Sequence, residues 1–257
     1  MRSAAACWQQ EAAEIGRTLW EMRAELQVDL PSVADAVERA QRLPPPVCLL
    51  DVGDNVGGGS AGDGTALAAE LHRRAAGPSF VCIYDPESVA AAEAAGIGET
   101  CLFRIGGKTD RLHGEPLAAD CRILDLFDGH FYEPEIRHGG IQHYDQGRTA
   151  LVETFGGVTI MLTSKRVVPF SIHQLTDFGI DPGVFRCIVA KGVNAPLAAY
   201  REVCASIIRV DTPGSTAAAP CTPSNPACTG RRSVVRTSGT TVSRRPPQRR
   251  SRCVCRG

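Results

Sequence analysis

The sequence predicts an α/β fold of three layers, a mostly parallel sheet with helices on both faces and a hairpin-rich middle section. Three observations carry this. Short apolar runs alternate with amphipathic stretches along most of the chain, the pattern of successive strand–helix–strand units. A glycine-rich loop joins one such run to the helix after it. The third is composition, since 43% apolar residues in a chain of 257 can bury one large α/β core or two small ones.

The elements follow in order. Residues 4–27 read as a helix with Ile15, Leu19, Met22 and Leu26 on one face, and residues 32–43 as a second helix opened by Pro31. Pro44-Pro45-Pro46 then marks a boundary. Beyond it the spacing predicts strand 47–52, helix 64–75, strand 79–84, helix 86–95 started by Asp85-Pro86, and strand 101–105. Residues 120–149 read as longer strands with hairpins, turning at Asp128-Gly129. The alternation resumes with strand 157–163, helix 171–178, strand 186–190, helix 195–204 and strand 206–210. Three units result: helices 1–43, an α/β domain over 44–214, and a tail over 215–257 rich in Arg, Ser, Thr and Pro. That tail lacks apolar periodicity and reads as disordered. Its composition fits an altered reading frame better than a basic interaction arm.

Charge separates body from tail. The formal net charge is zero, with 28 basic and 28 acidic side chains, but nine arginines and no acid lie after Asp211. The acidic body argues against a nucleic-acid platform, and the arginine tail has no aromatic residue on which a base could stack. No apolar run reaches the 18 residues of a membrane span, and charges interrupt residues 2–25 where a signal peptide would need an apolar stretch. Of the eleven cysteines, Cys48, Cys82, Cys101, Cys121 and Cys187 fall in expected buried strands, where a free thiol behaves as a small hydrophobe. No C-x-x-C pair occurs and the tail cysteines lack zinc-site spacing, so reduced thiols in a cytoplasmic protein are expected.

Residues 51–65 are the most distinctive stretch. Glycines at 53, 57, 58, 59 and 62 sit where a buried strand hands over to a helix, letting the backbone approach a ligand without a Cβ in the way. The N–H groups of such a loop attract an oxyanion, whereas Asp51, Asp54 and Asp63 repel an unaccompanied one, so a metal-bound or hydrogen-bonding ligand fits better. Neither G-x-x-x-x-G-K-[ST] nor G-x-G-x-x-G occurs. A plain glycine turn whose aspartates cap the helix fits the residues equally well. Lys108 and Lys191 are placed outside strand ends, where either could neutralise a substrate carboxylate. His130, His138 and His143, with Glu133, Glu135 and Asp145, offer zinc-type donors, but without H-x-x-x-H spacing they read as surface loop histidines. His72 and His173 read as structural or solvated, and Ser164 lacks the elbow of a serine nucleophile.

One combination of motifs resembles the C-terminal part of the microcystinase C (MlrC) family of zinc metallopeptidases. It comprises Asp51-x-x-Asp54-Asn55-x-Gly57-Gly58-Gly59-x-x-Gly62-Asp63-x-Thr65, Tyr84-Asp85-Pro86-Glu87, Gly106-Gly107-Lys108, Asp128-Gly129-x-Phe131, Gly156-Gly157-Val158, Thr163-Ser164-Lys165-Arg166, Phe178-Gly179-Ile180-Asp181-Pro182, Lys191 and Val210-Asp211-Thr212-Pro213-Gly214. Their order and spacing carry the resemblance, over about residues 5–214. Val56 departs from it, standing where the family has proline. The resemblance implies zinc-dependent hydrolysis of a small peptide or amide substrate in full-length relatives. Their metal ligands lie mainly in an N-terminal domain of which residues 1–43 would be the closing helices, so this chain is expected to bind no zinc itself. The expected substrate-binding residues are Asp54, Asn55 and Asp63 for orienting ligand or metal-bound water, the N–H groups of Gly57, Gly58 and Gly59 for an oxyanion, and Lys108 for a carboxylate. No membrane or nucleic-acid partner is expected, and the sequence leaves a homo-oligomer open. The rival reading is a non-catalytic module that binds a small anion or serves assembly.

Overall fold

The computed structural model describes residues 4–26 and 28–218, with side chains from Trp8 onward. The sequence reading of the tail therefore falls outside the described residues from 219 on. Helix α1 (Ala4–Glu21) is followed by a 3-10 turn at Met22–Ala24 and ends earlier than the spacing predicts. Its apolar face lies open, with Trp8, Ile15, Leu19 and Leu26 all more than half exposed. Helix α2 (Val33–Arg42) is capped by Ser32, whose Oγ accepts the Asp35 N–H at 3.2 Å and donates to the Asp35 carboxylate at 2.6 Å. Ser32→Ala is expected to lose about 1 kcal/mol, read from chemical unfolding.

Then come β1 (Val47–Asp51), α3 (Ala66–Arg74), β2 (Ser79–Tyr84), α4 (Pro86–Ala95), β3 (Thr100–Ile105), β4 (Leu117–Phe127), β5 (His130–Tyr132), β6 (His143–Asp145), β7 (Thr149–Thr154), β8 (Val158–Thr163), α5 (His173–Thr176), β9 (Cys187–Ala190), α6 (Leu197–Tyr200) and β10 (Ser206–Val210). Two helices are shorter than predicted. Gly179, at φ 74°, lies just beyond α5 in the left-handed conformation that ends helices. Past α6 the chain loosens into single hydrogen-bonded turns as far as Cys204.

Eight strands form one sheet in the order β10-β1-β9-β2-β8-β7-β4-β3. The first five run parallel and the last three join antiparallel; the hairpin signals of residues 120–149 anticipate β4, whereas β3, expected in the parallel alternation, pairs antiparallel with β4 because no crossover helix separates the two. Strands β5 and β6 form a separate two-stranded arm, with Phe131 stacked on Tyr144 at 4.8 Å. Alternation along each strand divides the core. Val47 and Leu49 of β1 face one way and pack with α2, α3 and α4 through Val37, Leu67, Leu71 and Val89. Cys48 and Leu50 face the other way, toward Leu175 of α5 and Tyr200 of α6. Both faces of the parallel strands are therefore buried, which explains their unbroken apolar runs.

This topology creates a crevice. Strand β1 leads into α3 on one face of the sheet, while its neighbour β9 leads into α6 on the other. Where adjacent parallel strands send their chains to opposite faces, the loops part and leave space outside the strand carboxyl ends.

Candidate substrate-binding site

The register of β1 and β9 pairs Leu50 with Ala190, which sets Asp51 beside Lys191 just past the last rung. The Lys191 ammonium is buried and donates to Asp51 Oδ2 at 3.1 Å, Asp54 Oδ2 at 2.9 Å and the Gly64 carbonyl at 2.6 Å. Its three N–H bonds are thereby spent, so Lys191 anchors the loop instead of meeting a substrate carboxylate. Burial alone would lower its pKa, yet the two carboxylates outweigh burial and raise it. Asp54 is the reciprocal case. Burial pushes its pKa up, but Lys191 and the N–H groups of Gly62 and Gly64, each 2.7 Å away, hold it well below the usual carboxylate range. Asp54 is 0% exposed and ties both ends of the glycine loop to β9. Both of its oxygens accept hydrogen bonds from the protein itself.

The other expected residues separate into two groups. Asn55 stands half-buried at the rim, its N–H donating to Thr216 Oγ1 at 3.0 Å and its carbonyl accepting from Gly58 and Ser60. Gly57, Gly58 and Gly59 are exposed beside it on a 3-10 turn, Val56–Gly58. The Gly58 and Gly59 N–H groups bond to the carbonyls of Asn55 and Val56, so those two do not face outward as an oxyanion cradle. The phenyl of Phe170 lies against Gly57, where an added Cβ would be 3.2 Å from it.

Asp63, near the end of the glycine loop, ties it to the neighbouring loop that carries Lys108. Asp63, 1% exposed, accepts the N–H groups of Lys108 and Thr109 on Oδ2 at 2.9 and 2.8 Å, while its Oδ1 has no partner among the described residues. The Lys108 ammonium pairs with Asp85 at 3.0 Å and Glu87 at 2.8 Å at the start of α4. Two carboxylates of the protein thus share its charge, Glu87 among them at the surface.

His113 carried no signal in the sequence, since Asp110-x-x-His113 matches no spacing rule and lies between elements. The fold buries it against the glycine loop. Its Nδ1 lies 2.8 Å from Asp110 Oδ1, and its Nε2 lies 2.7 Å from Ser60 Oγ and 3.2 Å from the Ser215 nitrogen. The Ser215 N–H can only donate, so Nε2 carries the lone pair and Nδ1 the proton directed at Asp110. Ser60, His113 and Asp110 share the geometry of a nucleophile, base and orienting acid. Ser60 is nevertheless 1% exposed beneath Ser215, and the base's lone pair is taken by a backbone donor. The cluster is a structural tie.

Ser215 and Thr216 thus extend the ordered body past Gly214. Thr216 Oγ1 lies 2.8 Å from the carbonyls of both Val52 and Gly53, and Thr212 Oγ1 donates to Asp51 at 2.6 Å. Elsewhere, His72 pairs with Thr154 at 3.1 Å, and His138 lies tilted against Phe170, ring centroids 4.3 Å apart, and bonds to the Ala195 carbonyl. His130 and His143 lie on the exposed arm. Among the described residues no group of three or more His, Cys, Asp or Glu side chains is placed to hold a metal ion. The most acidic buried spot is filled by the Lys191 ammonium, so these donors do not fit a zinc centre. Nor, among them, is any helix long and apolar enough to cross a membrane.

The family model described as MlrC C-terminus matches residues 49–223. The chain belongs to this family. Microcystinase C from Sphingomonas sp. is 27% identical over 166 residues, covering 64% of this chain and 32% of the relative. A solved structure of a candidate metallopeptidase from Mesorhizobium sp. BNC1 superposes with a TM-score of 0.72 at 28% identity, over 80% of this chain and 41% of that one. The chain therefore spans about a third to two-fifths of the length of these relatives. The glycine loop of this chain lies within the matched residues, at the crevice formed by β1 and β9.

Proposed function

We propose that this chain is the substrate-facing C-terminal part of a hydrolase of the MlrC type, acting on a peptide or amide bond with zinc supplied by residues outside those described. The supporting observation is the position of the glycine loop, held by the Asp51–Lys191–Asp54 cluster at the mouth of the switch-point crevice. In this reading zinc supplies the Lewis acid and the activated water in the assembled enzyme. The residues here bind and orient substrate. Asn55 and the exposed turn at Gly57 to Gly59 contact it, and Asp63 acts as a positioning residue that fixes residues 106–109 beside the loop. Six described cysteines are free thiols, which supports a reducing, cytoplasmic setting.

In a full-length relative, alanine at the positions matching Asn55 and Asp63 is expected to lower peptide turnover roughly 10- to 100-fold while zinc content stays unchanged. Turnover equal to the parent enzyme would remove the loop from the reaction. A second reading has one observation in its favour. The exposed stripe of α1, with Trp8 70% and Ile15 61% exposed, suits an assembly module that covers this face with another protein surface, a second copy of the chain included. Light scattering across a concentration series distinguishes a self-associating chain from a monomer.

A further inference from the structure

Every residue from Trp8 to Leu26, along α1 and the 3-10 turn that follows it, is exposed. A helix of 18 residues with Gly16 near its middle is only marginally stable in water without a packed face, so its apolar side calls for a partner. The spacing of that side is specific. Trp8, Ala12, Ile15, Leu19, Met22 and Leu26 follow one another at alternating steps of four and three residues, a heptad seam over nearly three repeats. A helix that packs on a globular core carries a broader stripe, whereas a seam this narrow suits a second helix of the same repeat. The last turn keeps to the helical path, since the Leu26 N–H bonds to the Met22 carbonyl at 3.1 Å. Trp20 lies off the seam, where the Arg23 guanidinium sits over its ring at 4.6 Å. No charge interrupts the seam: Glu11, Glu14, Arg17, Glu21 and Glu25 all stand outside it.

We propose that α1 pairs with α1 of a second copy of the chain as an antiparallel two-stranded coiled coil. The described part of one chain offers no substitute, because α2, α3 and α4 already bury their apolar sides in the core and α5 and α6 are single turns. A two-fold pair is isologous, so the one seam serves both chains. Antiparallel pairing sets Ile15 against Leu19 of the copy, Ala12 against its Met22 and Trp8 against its Leu26. Parallel pairing would set Trp8 on Trp8 and leave Ala12 facing Ala12, an overfilled level beside a void. The antiparallel arrangement brings Glu11 near Glu25 of the copy, a like-charged pair that marks it. This inference rests on the assembly reading above, adds the segment and the partner, and is independent of the hydrolase reading.

Sedimentation of the complete chain across about 1 to 200 µM tests the pairing. The parent is expected to pass from the 27.4 kDa of one chain toward twice that mass. Ile15→Glu and Leu19→Glu, which put a charge into the seam of both chains, should each weaken association at least about 100-fold. Ala13→Glu adds the same charge off the seam and should stay within about threefold of the parent. All three positions are exposed, so the variants are expected to melt with the parent, and a thermal scan checks this. Glu25→Lys should tighten the antiparallel pair about fivefold by meeting Glu11 of the copy. An unchanged affinity in that variant overturns the antiparallel arrangement. A chain that stays monomeric across the series, a mass of three or four chains, or association that Ile15→Glu and Leu19→Glu leave intact overturns the proposal. The failures are distinguishable: a monomer removes self-association altogether, whereas association that survives both seam variants removes only α1 and leaves an assembly reading through another surface.

Discussion

Lys191→Met is expected to destabilise the protein by about 3–5 kcal/mol, because it leaves two carboxylates buried with no cation to offset them. Asp51 and Asp54 are 2% and 0% exposed, so solvent cannot take over the role of the ammonium. Urea unfolding at pH 7 measures the deficit. The pH dependence identifies its cause. In the parent chain, Asp54 has a depressed pKa, so its contribution is complete above the unfolded carboxylate value of about 4 and is lost as pH falls through the folded value. Lys191 is raised, so its contribution is complete below about 10.4 and is lost as pH rises through its folded value. In the variant, burial acts on Asp54 without the ammonium, and acidification relieves the strain by neutralising it. The deficit should therefore shrink between pH 7 and about pH 4. A pH-independent deficit under about 1 kcal/mol would mean that the cluster behaves like a surface pair.

Gly53→Ala is expected to cost about 3 kcal/mol or more for a steric reason. An added Cβ would sit 2.2 Å from the Thr212 carbonyl oxygen and 2.6 Å from that of Pro213, both backbone atoms that cannot swing aside. The segment after β10 would have to lift, losing the Gly53 N–H bond to Thr212 Oγ1 at 2.7 Å and the Thr216 bond to the Gly53 carbonyl at 3.1 Å. Amide exchange at Thr216 should accelerate along with the loss of stability. Gly59→Ala is the control, having a φ of 90° but no atom within 4 Å of its added Cβ. It should cost only the left-handed strain of about 1–2 kcal/mol and leave Thr216 protected. Equal effects of the two substitutions would mean that backbone conformation matters here and the close approach does not.

The elements most legible in the sequence were those whose signals are local. Strand Ser79–Tyr84, helix Pro86–Ala95 and strand Ser206–Val210 lie at the residues the spacing predicts, since each is a continuous apolar run or is opened by Asp-Pro. Helices α5 and α6 were overestimated because Gly179 in the left-handed conformation ends the first and the second loosens into local hydrogen-bonded turns. The open apolar face of α1 was readable as a stripe. What covers it was not.

The sequence by itself determined the alternation of strands and helices, the place of the glycine loop at a strand end, and the family, through the order of motifs between Asp51 and Gly214. Only the tertiary structure decided what the charged residues do. Lys191 reaches Asp51 across 140 positions of chain, His113 joins Ser60 to Ser215, and Lys108 turns to α4, leaving Arg166 as the unpaired cation lining the crevice. The reason is physical. Periodicity and turn chemistry act between neighbours in sequence, whereas a buried charge finds its partner through the register of strands that lie far apart in the chain.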